Sequence, residues 1–237
     1  LEVLFTGLKQ SISLFKSDPD LWQIVFATLT ITGTATLLSL LLGMPAGIFL
    51  GLVDFKGKKA ILSVVNTGMG LPPVVVGLVV SLLLWRSGIL GFLNIMYTPL
   101  AIVIAEFIIA CPIVVGLTFA AIQNLDPSLR EQVLSLGASR YQFVRTVIKE
   151  ARIPTLAAII AGYGSIISEV GATIMVGGNI KGQTRVLTTA ILLETQAGNF
   201  EKAIALSTIL LVLAISLNVA FTKVQQKGAR NWQKVYR

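Results

Sequence analysis

Five apolar runs, each long enough to cross a hydrocarbon core of about 30 Å, leave this chain few ways to fold. They extend from about Ile24 to Val53, Ala60 to Trp85, Leu100 to Ile122, Thr155 to Val176 and Ala203 to Phe221. In lipid every backbone N–H and C=O must find its partner inside the protein, so runs of this length read as helices. They do not read as the alternating segments of about ten residues that build a membrane barrel. Composition agrees. Of the 237 residues 54% are hydrophobic and 13% charged, with a mean hydropathy of +0.83, where a soluble domain carries about 25% charged residues. The expected fold is an all-α integral membrane protein with five transmembrane helices. The first two runs are long, so tilt or a kink is expected at Pro45 and at Pro72–Pro73.

The flanks divide the chain further. Leu1, Leu4, Phe5, Leu8, Ile12 and Phe15 share one helical face in a stretch too short to span, and Asp18-Pro19-Asp20 follows. Residues 1–16 are therefore expected to form an interfacial helix lying on the lipid, within an N-terminal segment of residues 1–20. The opening LEVLFTG resembles a viral-protease tag sequence apart from Thr6 and carries no functional weight. Residues 21–222 form the transmembrane domain and 223–237 a basic tail. Thirteen of the nineteen Lys and Arg fall on one side of a five-span topology: residues 56–59, 130–152 and 223–237. Lys9, Lys16, Arg86, Lys181, Arg185 and Lys202 fall on the other. The positive-inside rule puts the thirteen in the cytoplasm, with the N-terminus outside and the C-terminus inside. That placement accounts for the net charge of +8 without nucleic acid.

Several chemistries are excluded. One Cys and no His argue against disulfide frameworks and against zinc or haem sites, and no metal ligand set is expected. Cys111, in IIACPIVV, reads as a small buried apolar residue. The nearest approach to a phosphate-binding loop, GLVDFKGKK, has the wrong spacing and no hydroxyl residue after its lysine. No nucleophile–base pair points to an intramembrane enzyme. A transporter or channel acting alone would favour inverted repeats with broken helices, and no convincing repeat is present.

The polar stretch at residues 123–153 is built with care. Asp126-Pro127 is a helix start, with Asp as the N-cap and Pro at the first helical position. Gly137 is placed to end that helix in the left-handed conformation. Ser139 and Gln142 form a capping box for a second helix leading into the fourth span. Leu129, Val133 and Leu136 give the short helix an apolar side, edged by Arg130 and Glu131. Such a corner serves either as an ordinary interfacial loop or as a rigid knob for a cytoplasmic partner.

A resemblance bears on that choice. EQVLSLGAS, with Glu131 and Gly137 at the required spacing and Ala138-Ser139 following, resembles the loop that marks permease subunits of binding-protein-dependent ABC importers. Gln132 and Val133 stand where the family usually has alanines. The family's later Ile-x-Leu-Pro is reduced to Val147-Ile148-Lys149-Glu150, and the nearest proline is Pro154. LPPVVVGLVVSLLL is similar to a core helix of molybdate and sulfate permeases. ISEVGATIMVGGNIKGQTRVLTTAILLET, residues 167–195, resembles the tungstate branch of that oxyanion group more closely, with molybdate and sulfate as the alternatives. The resemblance implies a type I importer fold and a homodimer. It implies two ATP-binding subunits that carry ATP and magnesium, no cofactor on this chain, and an extracellular or periplasmic oxyanion-binding protein. It also implies that the helix at 127–137 inserts into a cleft of the ATPase.

Candidate path residues follow from intramembrane polarity. Glu106 and Glu169 are ionisable groups within spans, and such groups are rare and functional suspects. Either lines a path or pairs structurally, with Arg185 as a possible partner. Ala157, Ala161, Ser165, Glu169 and Thr173 recur every four residues, beside Gly164, Ser168 and Ala172; the row offers either hydroxyls for a path or close helix packing. In VGGNIKGQTR, Gly177, Gly178 and Asn179 read as an anion-holding nest beside Lys181 and Arg185, or as a flexible turn. TRVLTTAILLET reads as a short re-entrant or interfacial helix. The topology predicts that cysteine introduced at Ser128 or Gln233 stays unlabelled by an impermeant reagent outside intact cells. Labelling at either position would invert the assignment.

Overall fold

A long apolar helix comes first. α1 (Pro19–Leu52) runs for 34 residues without a break through Pro45, about 51 Å at 1.5 Å per residue. The computed structural model describes Thr6, Gly7, Lys9 and residues 19–235, and describes the backbone alone at Pro19, Pro127, Arg130, Val224 and residues 226–235. The interfacial helix expected over residues 1–16 lies largely outside the described residues, as does the end of the basic tail.

α1 packs chiefly on α4 (Pro99–Gln123). Gly43, Gly47 and Gly51, one per helical turn, face Val114, Thr118 and Ile122, also one per turn. A Cβ at Gly47 would lie 2.7 Å from both the Thr118 Cβ and the Val115 carbonyl oxygen, so only hydrogen fits. Small residues at this spacing let two backbones approach closely in a membrane. Both series rise together, so α1 and α4 run in the same direction. The chain between them must therefore return across the bundle.

That return is a broken helix. α2 (Lys58–Met69) and α3 (Pro73–Leu84) are 12 residues each, bent by 103° at Gly70–Pro72. Each spans about 18 Å, too short to cross alone. The sequence suggested one kinked span over this region; the structure instead has a right-angled break. Pro72 is extended, as a residue before proline prefers, and Pro73 opens the next helix. A 3₁₀ turn (Gly91–Leu93) leads on to α4.

α5 (Pro127–Ser135) is short, and α6 (Arg140–Ile167) then runs for 28 residues through Pro154. A Cβ at Gly162 would lie 3.0 Å from Val114, so Val114 sits between α1 and α6. α7 (Gly171–Gly177) continues at 60° to α6. Further along, Gly177 packs on Ile102 and Gly178 on Tyr97. This series falls as the other rises, so α6–α7 runs against α4. α8 (Leu187–Gln196) buries Leu187 to Ala190. α9 (Phe200–Val235) starts beside α8 and the beginning of α1, with Leu206 packed on Leu21. It continues as one helix beyond the expected end of the fifth span at Phe221. Among the described residues three helices are long and apolar enough to cross a membrane, five if each bent pair counts as one crossing. No strand occurs among the described residues.

Filling the glycine seam is predicted to separate α1 from α4. Gly47→Leu should lower stability by about 1–3 kcal/mol, the usual cost of overpacking, whereas Gly33→Leu, with open space at its Cβ position, should leave it unchanged. Thermal unfolding of the two purified variants measures the difference.

Candidate coupling corner, helix break and end loop

The corner between α5 and α6 has the caps its sequence called for. Asp126 accepts the Ser128 N–H at 2.9 Å, and that backbone hydrogen bond holds its carboxyl below the ordinary aspartate range. At the other end Gly137 is left-handed with φ +75°. Its N–H donates to the Leu134 carbonyl at 3.0 Å and the Ala138 N–H to the Val133 carbonyl at 3.3 Å. These are the paired bonds of a Schellman stop, which consume two carbonyls that would otherwise be left over. Two residues on, Ser139 Oγ accepts the Gln142 N–H and Gln142 Oε1 accepts the Ser139 N–H, at 3.3 and 2.8 Å. Every hinge-like position of the turn is thereby bonded.

The apolar side chains divide into two sets. Leu129 faces inward, sharing a groove with Ile122, Leu125, Phe143 and Val147 at the ends of α1, α4 and α6. Val133 and Ala138 are half-buried, while Glu131 and Ser139 are exposed. Leu136 is 86% exposed and Tyr141 75%, with Leu134 also exposed. The outward apolar surface is thus Leu134, Leu136 and Tyr141, in place of the Leu129–Val133–Leu136 side read from the sequence. Heptad-like spacing pointed to the side of α5 that packs on its own chain. The tip was legible only from where the Schellman turn aims it. The Arg130 side chain lies outside the described residues.

The candidate path residues meet at the α6–α7 break. The every-fourth-residue row does not persist, because the helix stops at Ile167 and resumes at Gly171. Ala157 and Ala161 are exposed, Ser165 is half-buried, and Ser168 is exposed with its hydroxyl donated to the Gly164 carbonyl at 3.2 Å. Glu169 makes the restart possible: its Oε1 accepts the Ala172 N–H at 2.9 Å, and its carbonyl accepts the Thr188 hydroxyl. Glu106 on α4 is 2% exposed, with Thr32 of α1 as its hydrogen-bonding neighbour and Glu169 close by. Thr173 is fully buried. Arg185 does not pair with Glu169; its guanidinium donates to Asn179 Oδ1 at 3.2 Å and to the Asn179 carbonyl at 3.3 Å.

The loop after α7 is closed on itself. Gly178 is left-handed directly after the helical Gly177, the αR-αL step that a nest needs, and Asn179 is left-handed as well. Yet the N–H groups of Gly178, Ile180, Gln183, Thr184 and Arg185 already donate within the chain. Thr184 Oγ1 donates in turn to the Gly177 carbonyl at 2.5 Å. Lys181 pairs with Asp20 at the start of α1. The loop is thus a structural clasp and neither an open anion nest nor a loose turn. Beside it the sequence reading missed a pocket lined by Trp85, Arg86, Asn94, Met96 and Tyr97, in which Trp85 and Tyr97 meet edge to face at 6.3 Å. Aromatics flanking a lone arginine were the available signal. Among the described residues no group of three acidic, Cys or His side chains is arranged to hold a metal.

Residues 43–228 match the family described as binding-protein-dependent transport system inner membrane component. The chain is 34% identical over 228 residues to the tungstate uptake system permease protein TupB of Peptoclostridium acidaminophilum, covering 96% of this chain and all of that one. It is 41% identical over 201 residues to a probable anion ABC transporter permease protein of Haloferax volcanii, covering 83% and 87% of the two chains. Among solved structures it resembles a chain of a bacterial alginate ABC transporter in complex with an alginate-bound periplasmic protein. The TM-score is 0.72 at 22% identity, covering 94% of this chain and 86% of that one; that likeness is one of fold.

Gly137→Val is predicted to disturb the corner alone. A β-carbon at this φ costs about 1–2 kcal/mol, and relief by continuing the helix would swing Leu136 and Tyr141 away. Packing of the bundle should be undisturbed, because nothing lies within 4 Å of a Cβ there, so any loss of stability should not exceed that strain. Thermal unfolding together with pull-down of the cognate ATP-binding subunit reads the two effects separately; unaltered binding would make the corner an ordinary loop.

Proposed function

The chain belongs to the binding-protein-dependent transport system inner membrane component family, and on that premise we propose that it is the membrane subunit of an ATP-driven importer for a tetrahedral oxyanion, tungstate. The cargo assignment is supported by near full-length similarity to a tungstate permease and by the anion transporter relative. Two copies of the chain work with two ATP-binding subunits on the cytoplasmic side and with an oxyanion-binding protein outside. The corner at 126–139 faces the cytoplasm, in keeping with the thirteen basic residues on that side.

The observation that carries the coupling role is the exposed apolar tip on a fully capped turn. Leu136 and Tyr141 are left in the open by a backbone with no slack, which suits a surface that must be gripped and pushed. Movement at the tip enters α6 directly, because α6 begins at the capping box. It also enters the ends of α1 and α4 through Leu129 and Phe143. Those two helices are locked together by the glycine seam and move as one body, so the α6–α7 break is the place where the displacement is taken up. At the outer end the clasp and the Trp85–Tyr97 pocket face the binding protein.

The test is uptake by vesicles holding this chain, its ATP-binding subunit and the binding protein. Tungstate uptake should require both ATP and the binding protein, and Leu136→Asp should abolish it without preventing membrane insertion. Uptake independent of ATP would overturn the reading. Uptake supported by a sulfate-loaded binding protein and never by a tungstate-loaded one would overturn the cargo.

A further inference from the structure

The α6–α7 break encloses more buried oxygen than its hydrogen bonds use. Glu106 Oε2, Tyr163 Oη and Thr173 Oγ1 are buried without a hydrogen-bond partner among the described residues. The three residues are 2%, 5% and 1% exposed. Tyr163 lies close enough to feel the Glu106 charge. Thr173 is one turn before Gly177, whose Cβ position is 2.7 Å from Ile102, one turn before Glu106. Since α7 runs against α4, Thr173 faces Glu106 across the interface. Unpartnered oxygens from α4 and α7 thus face each other, and α6 adds the Tyr163 hydroxyl within electrostatic reach of Glu106.

The charge there is not balanced by the chain. The only ionisable residue on α1 is Asp20 in its first turn; α3 and α7 have none. From Ile153 to its end α6 offers only Tyr163, and α4 itself adds only Cys111. Glu169 is the other acidic group facing Glu106, and Arg185 is engaged with Asn179. α9, which meets Tyr163 through Phe221 at 5.9 Å, carries Lys223 two residues on, while α1, α3, α4, α7 and α6 from Ile153 onward carry no Lys or Arg. Burying a carboxylate without a countercharge is costly, so in practice the charge is neutralised. Hard oxygen donors with no nitrogen or sulfur among them suit a hard cation over a soft one, and a single positive charge, a proton or an alkali ion, is enough to offset Glu106.

We infer that Glu106, Thr173 and Tyr163 form a site for one exchangeable monovalent cation, a proton or an alkali ion, at the α6–α7 break. Its occupant offsets the acidic charge of Glu106 and Glu169. A dianion passing this break then meets a neutral lining instead of two carboxylates; that last consequence rests on the function proposed above, while the site itself does not.

The experiment measures thermal unfolding of the full chain in detergent, which needs no cargo. One arm varies pH from about 5 to 9 in choline chloride; the other varies sodium, potassium and lithium against choline at fixed pH and ionic strength. A ligand that binds only the folded state raises its stability with concentration. The wild type should therefore melt higher at low pH if the occupant is a proton, or with one alkali ion if it is a metal. Glu106→Gln should lose that shift and be no less stable in the cation-free condition. A wild type indifferent to both arms, or a Glu106→Gln variant with the full wild-type response, would overturn the site. If Glu106→Gln fails to fold, Thr173→Val and Tyr163→Phe decide: a weakened response supports the inference, and an unchanged one removes it.

Discussion

The contact on which the architecture rests is the seam of Gly43, Gly47 and Gly51 against Val114, Thr118 and Ile122. Lipid tails are as apolar as leucine, so burying a greasy side chain between two membrane helices gains little. Close backbone approach, with dispersion contacts along several turns, is what remains. This seam makes α1 and α4 a parallel pair. Parallel neighbours force the intervening chain to return, which is why two helices too short to cross are set end to end between them. It also places Val114 where Gly162 of α6 can meet it, so the third body of the bundle is registered on the same turn of α4.

The two breaks are built by different chemistry. At Gly70–Pro72 the backbone is turned by residues that cannot continue a helix. At 168–170 no proline is present, and the side chain of Glu169 takes over the Ala172 N–H of the next helix. The first break is covalently fixed by its residue types. The second is held by hydrogen bonds to Glu169, its carboxylate accepting the Ala172 N–H and its carbonyl the Thr188 hydroxyl, beside buried oxygens that have no partner. The bundle therefore has a stiff half, α1 with α4, and a half whose bend can be altered by local polar contacts.

Much of this was legible in the sequence. Apolar run length located three long helices and two bent pairs, and the caps of the corner were read residue by residue from Asp126, Gly137, Ser139 and Gln142, because capping is local chemistry. The glycine seam was also written there, as three glycines four apart, but only the structure shows what they face. The every-fourth-residue row through Glu169 failed because helical periodicity presumes an unbroken helix. Arg185 looked like a partner for Glu169 by charge alone, whereas a backbone carbonyl and an amide of Asn179 hold it. Leu129 was grouped with Val133 and Leu136 on one apolar side because one-dimensional spacing does not tell which face of α5 meets the rest of the chain.

The seam has a consequence for how such a chain can drift. At Gly47 and Gly51 the space opposite α4 holds a hydrogen atom and nothing larger, at Gly43 it is tight, and the atoms facing Gly47 include a backbone carbonyl that cannot be trimmed by mutation. A gain of a methyl group on α1 is tolerated only after a loss on α4 at the matching turn. At Gly47 even that exchange leaves the Val115 carbonyl in the way. The lipid-facing residues of the same two helices are under no such bookkeeping. Sequence divergence among proteins of this shape should therefore be paired and slow along one stripe, and independent and fast a third of a turn away.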